Sequence, residues 1–194
     1  MRTAISPTYF DFHEVAYHFL KLTATDRLLR FGRLISDLEI VAYVEAFYLR
    51  SDPVFVVMGP WPSIAGAAHL EITDRGAILG LSVSSWARRQ GIGTLLLDRA
   101  CLFASSRGIS TFFVRNLSAN MALRSLAQRV GMRVAWAPNA KSTQVELPAG
   151  SRDGSHGKYI TGQFMLADYS LRLQRRTPPG EDTVSADLLE STAS

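Results

Sequence analysis

The segment Leu81–Ala100, LSVSSWARRQGIGTLLLDRA, constrains the fold more than any other part of the chain. Its first residues are a short apolar run that reads as a β-strand ending at Val83. Arg88, Arg89, Gln90, Gly91, Ile92 and Gly93 follow as a turn, and Leu95, Leu96, Leu97 and Leu102 then mark a helix. Small residues at such a handover let backbone N–H groups come close to a ligand. The free N–H groups of the first helical turn and the positive end of the helix dipole favour an anion there. The segment therefore reads as a cradle for a phosphate or pyrophosphate.

The flanking sequence alternates helical and extended patterns. Tyr9–Leu20 places Phe12, Val15, Ala16 and Phe19 at helical spacing, and Asp26–Phe31 reads as a short second helix. Ser36 and Glu39 form a capping box that opens a third helix through Val41, Val44 and Phe47, ended by Asp52-Pro53. Val54–Met58 and Ile64–Ile72 read as strands, and Thr73–Gly76 as a hairpin turn that returns the chain as Ala77–Val83. After the cradle, the helix runs from Thr94 to about Arg107 and stops at Gly108. Thr111–Arg115 is β-branched and aromatic, hence a strand; Asn120–Val130 is a helix closed by Gly131. Met132–Trp136 and Thr143–Leu147 are the last expected strands. Residues 1–148 thus read as one α/β (α+β) domain. Residues 149–194 read as a polar linker, a helix over Tyr159–Gln174 carrying Phe164, Leu166, Tyr169 and Leu173, and a disordered tail.

Composition narrows the function classes. The chain has 194 residues, 47% hydrophobic and 20% charged, which suits one domain with a full core. No apolar run approaches the ~20 residues of a membrane span, so no membrane partner is expected. The N-terminus lacks the apolar stretch of a secretory signal. The one cysteine, Cys101, excludes an internal disulfide and fits a reducing cytosol, so a cytoplasmic location is expected. Net charge is +4, but the arginines are spread along the chain with no basic stripe interleaved with aromatics. That pattern argues against nucleic acid and suits a phosphate-rich small ligand. His13, His18, His69 and His156 lack metal-ligand spacing, so no metal is expected. Cys101 sits mid-helix among apolar residues and reads as a packed thiol rather than a nucleophile.

The order of elements and two motifs resemble the GNAT superfamily of acyl-CoA-dependent N-acetyltransferases. The family's central motif is Gln or Arg, two residues, Gly, one residue, then Gly or Ala; it stands here as Arg88-Arg-Gln-Gly91-Ile-Gly93 after the strand ending at Val83. The later signature, an Asn, a helix, then Gly and an apolar residue, stands as Asn120, Leu123, Leu126 and Gly131-Met132. Together the motifs cover about Ile64 to Leu147. His18-Phe-Leu-Lys-Leu and Asp26-Arg-Leu-Leu-Arg-Phe31 are similar to the lead-in of bacterial protein-lysine acetyltransferases of this superfamily.

The resemblance implies a splayed, mostly antiparallel mixed sheet flanked by helices, with acetyl-CoA as cosubstrate lying in the splay. Backbone groups of Leu81 and Val83 would bond the pantetheine amides. The N–H groups of Arg89, Gly91, Gly93 and Thr94 would hold the pyrophosphate, within the turn that also contains Gln90 and Ile92. Arg88 would shape that turn or add charge. Asn120 would bond the pantetheine arm, and Arg124 would either reach a coenzyme A phosphate or face solvent. The implied reaction is direct attack on the thioester by a primary amine, a protein lysine or a small molecule, with a backbone N–H near Val83 stabilising the oxyanion.

Two expected catalytic groups of such enzymes are missing. Counting from Asn120, the tyrosine that protonates the leaving thiolate falls at Ala127, and a glutamate before the cradle falls at Ala77 or Ile78. Glu71 is the nearest replacement base: a hairpin closed at Thr73–Gly76 sets it across from Ile78. His69 shares its face and has an ordinary pKa of ~6.5. The alternatives are a solvated edge carboxylate and a polar strand residue. The missing groups also admit a catalytically weak or inactive acyl-CoA-binding regulatory module. Edge strands near the C-terminus leave a homodimer open.

Overall fold

The computed structural model describes residues 3–6, 12–60, 63–135 and 164–170. In chain order the elements are β1 (Ala4–Ile5), α1 (Phe12–Leu20), α2 (Ala24–Phe31), α3 (Asp37–Leu49), β2 (Val54–Met58), β3 (Ile64–Thr73) and β4 (Gly76–Val83). They continue as α4 (Ile92–Ser105), β5 (Thr111–Val114), α5 (Met121–Arg129), β6 (Arg133–Ala135) and β7 (Met165–Asp168). A single 3-10 turn over Ser85–Ala87 links β4 to the loop before α4.

Side-chain caps set the helix starts. Thr23 accepts from the Asp26 N–H at the head of α2. Ser36 and Glu39 close the expected capping box at the head of α3, a device worth about 1 kcal/mol. Ile40, Val44 and Phe47 then form the buried stripe of α3, whereas Val41 is exposed. On α4 the buried stripe is Ile92, Leu96, Leu97, Ala100, Cys101 and Ala104, and Leu102 faces out. Burial pushes the Cys101 thiol up to about 12, so it packs as an apolar group.

The strands form one sheet in the order β1-β2-β3-β4-β5-β7-β6. Pairing is antiparallel from β1 to β4 and parallel from β4 through β5 and β7 to β6. The β3–β4 hairpin closes at Thr73↔Gly76 and sets Glu71 opposite Ile78 and His69 opposite Gly80. Between β4 and β5 the ladder joins only Ala77↔Phe112 and Ile78↔Phe113. Beyond Ile78, β4 pairs among the described residues with β3 alone, and the sheet opens there. Helices α1 and α3 bury Val15, Phe19, Ile40, Val44 and Phe47 against Val54, Val56 and Ala67 on one face. Helices α4 and α5 cover the other face over Leu70, Leu79, Phe112 and Leu166.

The C-terminal expectation is corrected by β7. Met165–Asp168, inside the segment expected as a helix, is a strand inserted between β5 and β6. The core therefore extends past the expected boundary at residue 148. Phe164 stacks on Phe112 with centroids 5.3 Å apart, and Leu166 and Ala167 are fully buried. A central strand covered on both faces shows no period of two, so its apolar residues fitted a helical spacing equally well. The strand expected over Thr143–Leu147 and most of the helix expected over Tyr159–Gln174 lie outside the described residues.

Two histidines are sealed under the α1–α3 layer. His18 of α1 and His69 of β3 are each 4% exposed or less. Burial first, with the Arg30 charge adding to it, depresses each imidazole to about 4. The His69 ring stacks on Phe47 at 4.8 Å, its Nε2–H donates to Asp52 (3.0 Å) and its Nδ1 accepts from the Tyr43 hydroxyl (2.7 Å).

Leu166→Ala is expected to cost about 3 kcal/mol in urea unfolding; a loss well under 1 kcal/mol would deny β7 its place in the core. Because both folded pKa values lie below the unfolded value of ~6.5, the unfolded chain binds more protons between pH ~6.5 and ~4. Stability is full above that window and falls as pH falls through it, by about 2 kcal/mol per imidazole at about pH 5. A urea midpoint that stays flat down to about pH 4.5 would contradict this.

Candidate active site

Where β4 leaves β5, the gap widens into a cleft of about 760 Å³. Its walls are the end of β4 (Leu81, Ser82, Val83), the turn into α4 (Ala87, Arg88, Arg89, Gly91 to Thr94), and α5 from Asn120 to Arg129. Leu22, Asp26, Leu29 and Arg30 from the α1–α2 region complete them.

The turn is held in a conformation that presents backbone N–H groups. Gly91 is the N-cap of α4 with φ 78°, and Arg89 also lies at positive φ, 62°. An arginine in that region carries strain of order 1 kcal/mol or more, and such strain collects at ligand sites. A side chain at residue 91 would meet no atom within 4 Å, so the φ, rather than crowding, demands the glycine. Arg88 ties the turn to the layer above: its Nε donates to the Val83 carbonyl (3.3 Å) and its Nη2 pairs with Asp26 (2.7 Å). These contacts fix Arg88 between β4 and α2.

Most of the expected coenzyme residues come together here. Leu81, Val83, Arg88, Arg89, Gly91, Ile92, Gly93, Thr94 and Asn120 all line the cleft. Asn120 is the N-cap of α5, its Oδ1 accepting from the Leu123 N–H at 3.1 Å. Gln90 and Arg124 do not line it: Gln90 Nε2 donates to the Trp86 carbonyl and Arg124 Nη1 to the Ser118 carbonyl. Arg129, one turn beyond Arg124, does line it. Ala127, at the position of the missing tyrosine, is fully buried in the core.

The two expected bases stand elsewhere. His69 is closed in by Phe47, Tyr43 and Asp52 and does not line the cleft. Glu71 is half-buried beside a separate cavity of about 10 Å³, shared with Arg30, Tyr43, His69 and Arg115. Arg30 lies on both cavities and separates Glu71 from the cleft.

A hydroxyl that sequence reading missed does line the cleft, that of Ser82, backed by the buried His18. Ser82 Oγ lies 2.8 Å from His18 Nε2. His18 Nδ1 is 3.3 Å from the Ile64 carbonyl, which can only accept, so Nδ1 carries the proton and Nε2 offers its lone pair. Ser84 supports this tautomer, donating to the Ile64 carbonyl at 2.9 Å while its oxygen stands 3.2 Å from Nδ1. Ser82 must then donate its hydroxyl proton to His18 and keep its oxygen lone pairs for another donor. The two residues are 64 positions apart, and no local spacing in the sequence joins them.

The donor set suits acetyl-CoA: backbone N–H groups and the Arg89 and Arg129 cations at one end, and a β4 edge without a β5 partner at the other. Among the described residues no group of His, Cys, Asp and Glu could hold a metal, and no helix is long and apolar enough to cross a membrane.

Comparison with known proteins agrees with this geometry. The model of the acetyltransferase (GNAT) family matches residues 6–132. No curated protein matches. Among solved structures, an N-acetyltransferase of Staphylococcus aureus Mu50 is similar, with 20% identity and a TM-score of 0.53 over 69% of this chain and 84% of that one. YncA of Salmonella typhimurium, solved with its cofactor acetyl-CoA, gives 18% identity and a TM-score of 0.52 over 69% and 80%. A ribosomal-protein-alanine N-acetyltransferase of Brucella melitensis gives 20% and 0.53 over 66% and 82%. At these identities the structures share the fold. The family match spans well over half of the chain, so the protein belongs to the acetyltransferase (GNAT) family, whose members use acetyl-CoA as cosubstrate.

Proposed function

We propose that this protein moves an acetyl group from acetyl-CoA to a primary amine by direct attack, with both substrates meeting beside Leu81–Val83. The observation that carries the reading is the single cleft running from the anion cradle of α4 to the unpaired edge of β4. The pyrophosphate would lie on the N–H groups of Arg89, Gly91, Gly93 and Thr94, with Arg129 adding charge. Leu81 and Val83 would supply backbone bonds to the pantetheine. The Val83 carbonyl already accepts one bond from Arg88, which leaves it one lone pair. Asn120 Oδ1 caps α5, so any bond from this side chain to the arm would come from its amide nitrogen.

The amine approaches from the α1–α2 side, where Ser82 opens on the cleft. Its N–H donates to the Ser82 oxygen, which aims the nitrogen lone pair at the thioester carbon. Attack forms the C–N bond and moves the carbonyl π pair onto oxygen, which a backbone N–H near Val83 receives. Collapse breaks the C–S bond, and the proton shed by the amine neutralises the departing thiolate. His18, kept neutral by burial, orients Ser82 and is a positioning residue. Glu71 and His69 would take part only at a distance, through Arg30 and Tyr43.

A protein lysine and a small amine both fit this reaction. The rival reading, an acyl-CoA-binding regulatory module without turnover, predicts acetyl-CoA binding and no amine-dependent release of coenzyme A. Micromolar acetyl-CoA binding with amine-dependent coenzyme A release supports transfer; binding alone returns the rival.

Gly91→Glu places a carboxylate in the cradle and strains its backbone. Calorimetry is expected to show acetyl-CoA affinity reduced by about 100-fold or more; retained affinity would move the pyrophosphate elsewhere. Ser82→Ala is expected to lower kcat about 10- to 100-fold with acetyl-CoA affinity within about twofold. Unchanged kcat would make Ser82 a hydroxyl of the core and nothing more.

A further inference from the structure

Arg30 is the least explained charge in the molecule. It is only 8% exposed, yet among the described residues it makes no ion pair. Its hydrogen bond to protein runs from Nη2 to the Tyr43 hydroxyl at 2.7 Å, and its buried Nε has no partner among the described residues. The rings of Phe19, Phe31 and Tyr43 lie 4.9–5.5 Å from the guanidinium carbon. Cation–π contacts of this kind offset part of the cost of burying a cation and leave its N–H donors unsatisfied.

The nearby carboxylates are committed elsewhere. Asp26 pairs with Arg88, and Asp52 with Arg50 and His69. Glu71 borders the small cavity beside Arg30 but is in none of the ion pairs found among the described residues. Arg115 borders that same cavity, so the local balance is positive. The charge is felt at both buried histidines, whose protonation Arg30 opposes. The fold also makes room for it: a Cβ at Gly80 would fall within the guanidinium itself.

Position gives this charge a use. Gly80 and Ser82 are two residues apart on β4 and share a face, about 6.6 Å from one another along the strand. The guanidinium over Gly80 and the hydroxyl of Ser82 therefore stand side by side on the wall of the cleft. Hydrogen bonds of about 2.9 Å inclined towards one another from the two groups converge on the amine and carboxylate of a short amino acid lying over them, rather than between them. We propose that Arg30 receives a carboxylate at the acyl end of the cleft, and that the acceptor is an amino acid whose amine rests on Ser82 while its carboxylate rests on Arg30. The proposal rests on the acetyl-transfer reading. The same carboxylate chemistry can also come from the far end of a dicarboxylic acyl chain on the donor.

The test measures coenzyme A release by the full chain with matched acceptors that differ only in the carboxylate: L-leucine against isopentylamine, and L-phenylalanine against phenethylamine. Acetyl-CoA and succinyl-CoA serve as donors. With acetyl-CoA, the amino acid of at least one pair is expected to exceed its amine by about tenfold or more in kcat/KM. Arg30→Met is expected to collapse that ratio toward one, by about 100-fold loss on the amino acid, while calorimetric acetyl-CoA affinity stays within about twofold. Arg30→Lys keeps the charge without the fork and is expected to recover part of the ratio; it also decides the matter if Arg30→Met does not fold. A preference for succinyl-CoA that vanishes in the variants would place the same carboxylate on the donor. Equal use of both members of each pair with both donors, or no turnover of either while acetyl-CoA still binds, would overturn the carboxylate site and leave acetyl-CoA recognition standing. Failure of acetyl-CoA to bind the wild-type chain would remove both readings.

Discussion

The ladder between β4 and β5 holds at two residue pairs and then stops. The cleft that is proposed to hold acetyl-CoA depends on that interruption. Past Ile78 one side of β4 is left without a strand partner, and peptide groups in such a position must find other donors and acceptors. Among the described residues no further strand closes the gap. The chain places the α4 N-terminus at the mouth, α5 along the far wall and the α1–α2 region above. The pairing resumes as a parallel sheet through β5, β7 and β6, so the opening sits inside a continuous core rather than at an edge.

The two layers contribute different chemistry to the cleft. The α4–α5 side supplies backbone N–H groups, a helix dipole and exposed arginines, which suit a phosphate-bearing cosubstrate. The α1–α3 side supplies a buried and ordered polar set: His18 with Ser82, and Arg30 with Tyr43, His69 and Asp52. Burial keeps both imidazoles neutral, so among the described residues the buried cation of this layer is Arg30. Asp26 joins the halves, because its pairing with Arg88 ties α2 to the cradle.

What the sequence discloses follows how local each cause is. The cradle was legible because its strand, turn and helix are contiguous, and Gly91 answers to a single dihedral angle. The capping box at Ser36 and Glu39 and the hairpin at Thr73–Gly76 were legible for the same reason. The hairpin register even set Glu71 opposite Ile78 as expected. Non-local causes stayed hidden. Met165–Asp168 is held between β5 and β6, strands far away in sequence, and its buried apolar run carries no period that could identify a strand. Arg124 and Arg129 both lie on α5, and only packing decides that Arg129 lines the cleft. Glu71 and His69 are expected bases because the hairpin sets Glu71 across from Ile78 and His69 shares its face, whereas in the fold Arg30, arriving from α2, borders both their cavity and the cleft, which they do not line. The pairing of Ser82 with His18 joins β4 to α1 and needs the fold to be seen.

Amide hydrogen exchange of the full chain, with and without coenzyme A, tests the central claim most directly. The account predicts new protection concentrated at Leu81–Val83 and at Arg89, Gly91, Gly93 and Thr94, the groups given to the pantetheine and pyrophosphate. Protection that falls elsewhere, or none at saturating coenzyme A, would contradict the placement of the cosubstrate in the β4 opening.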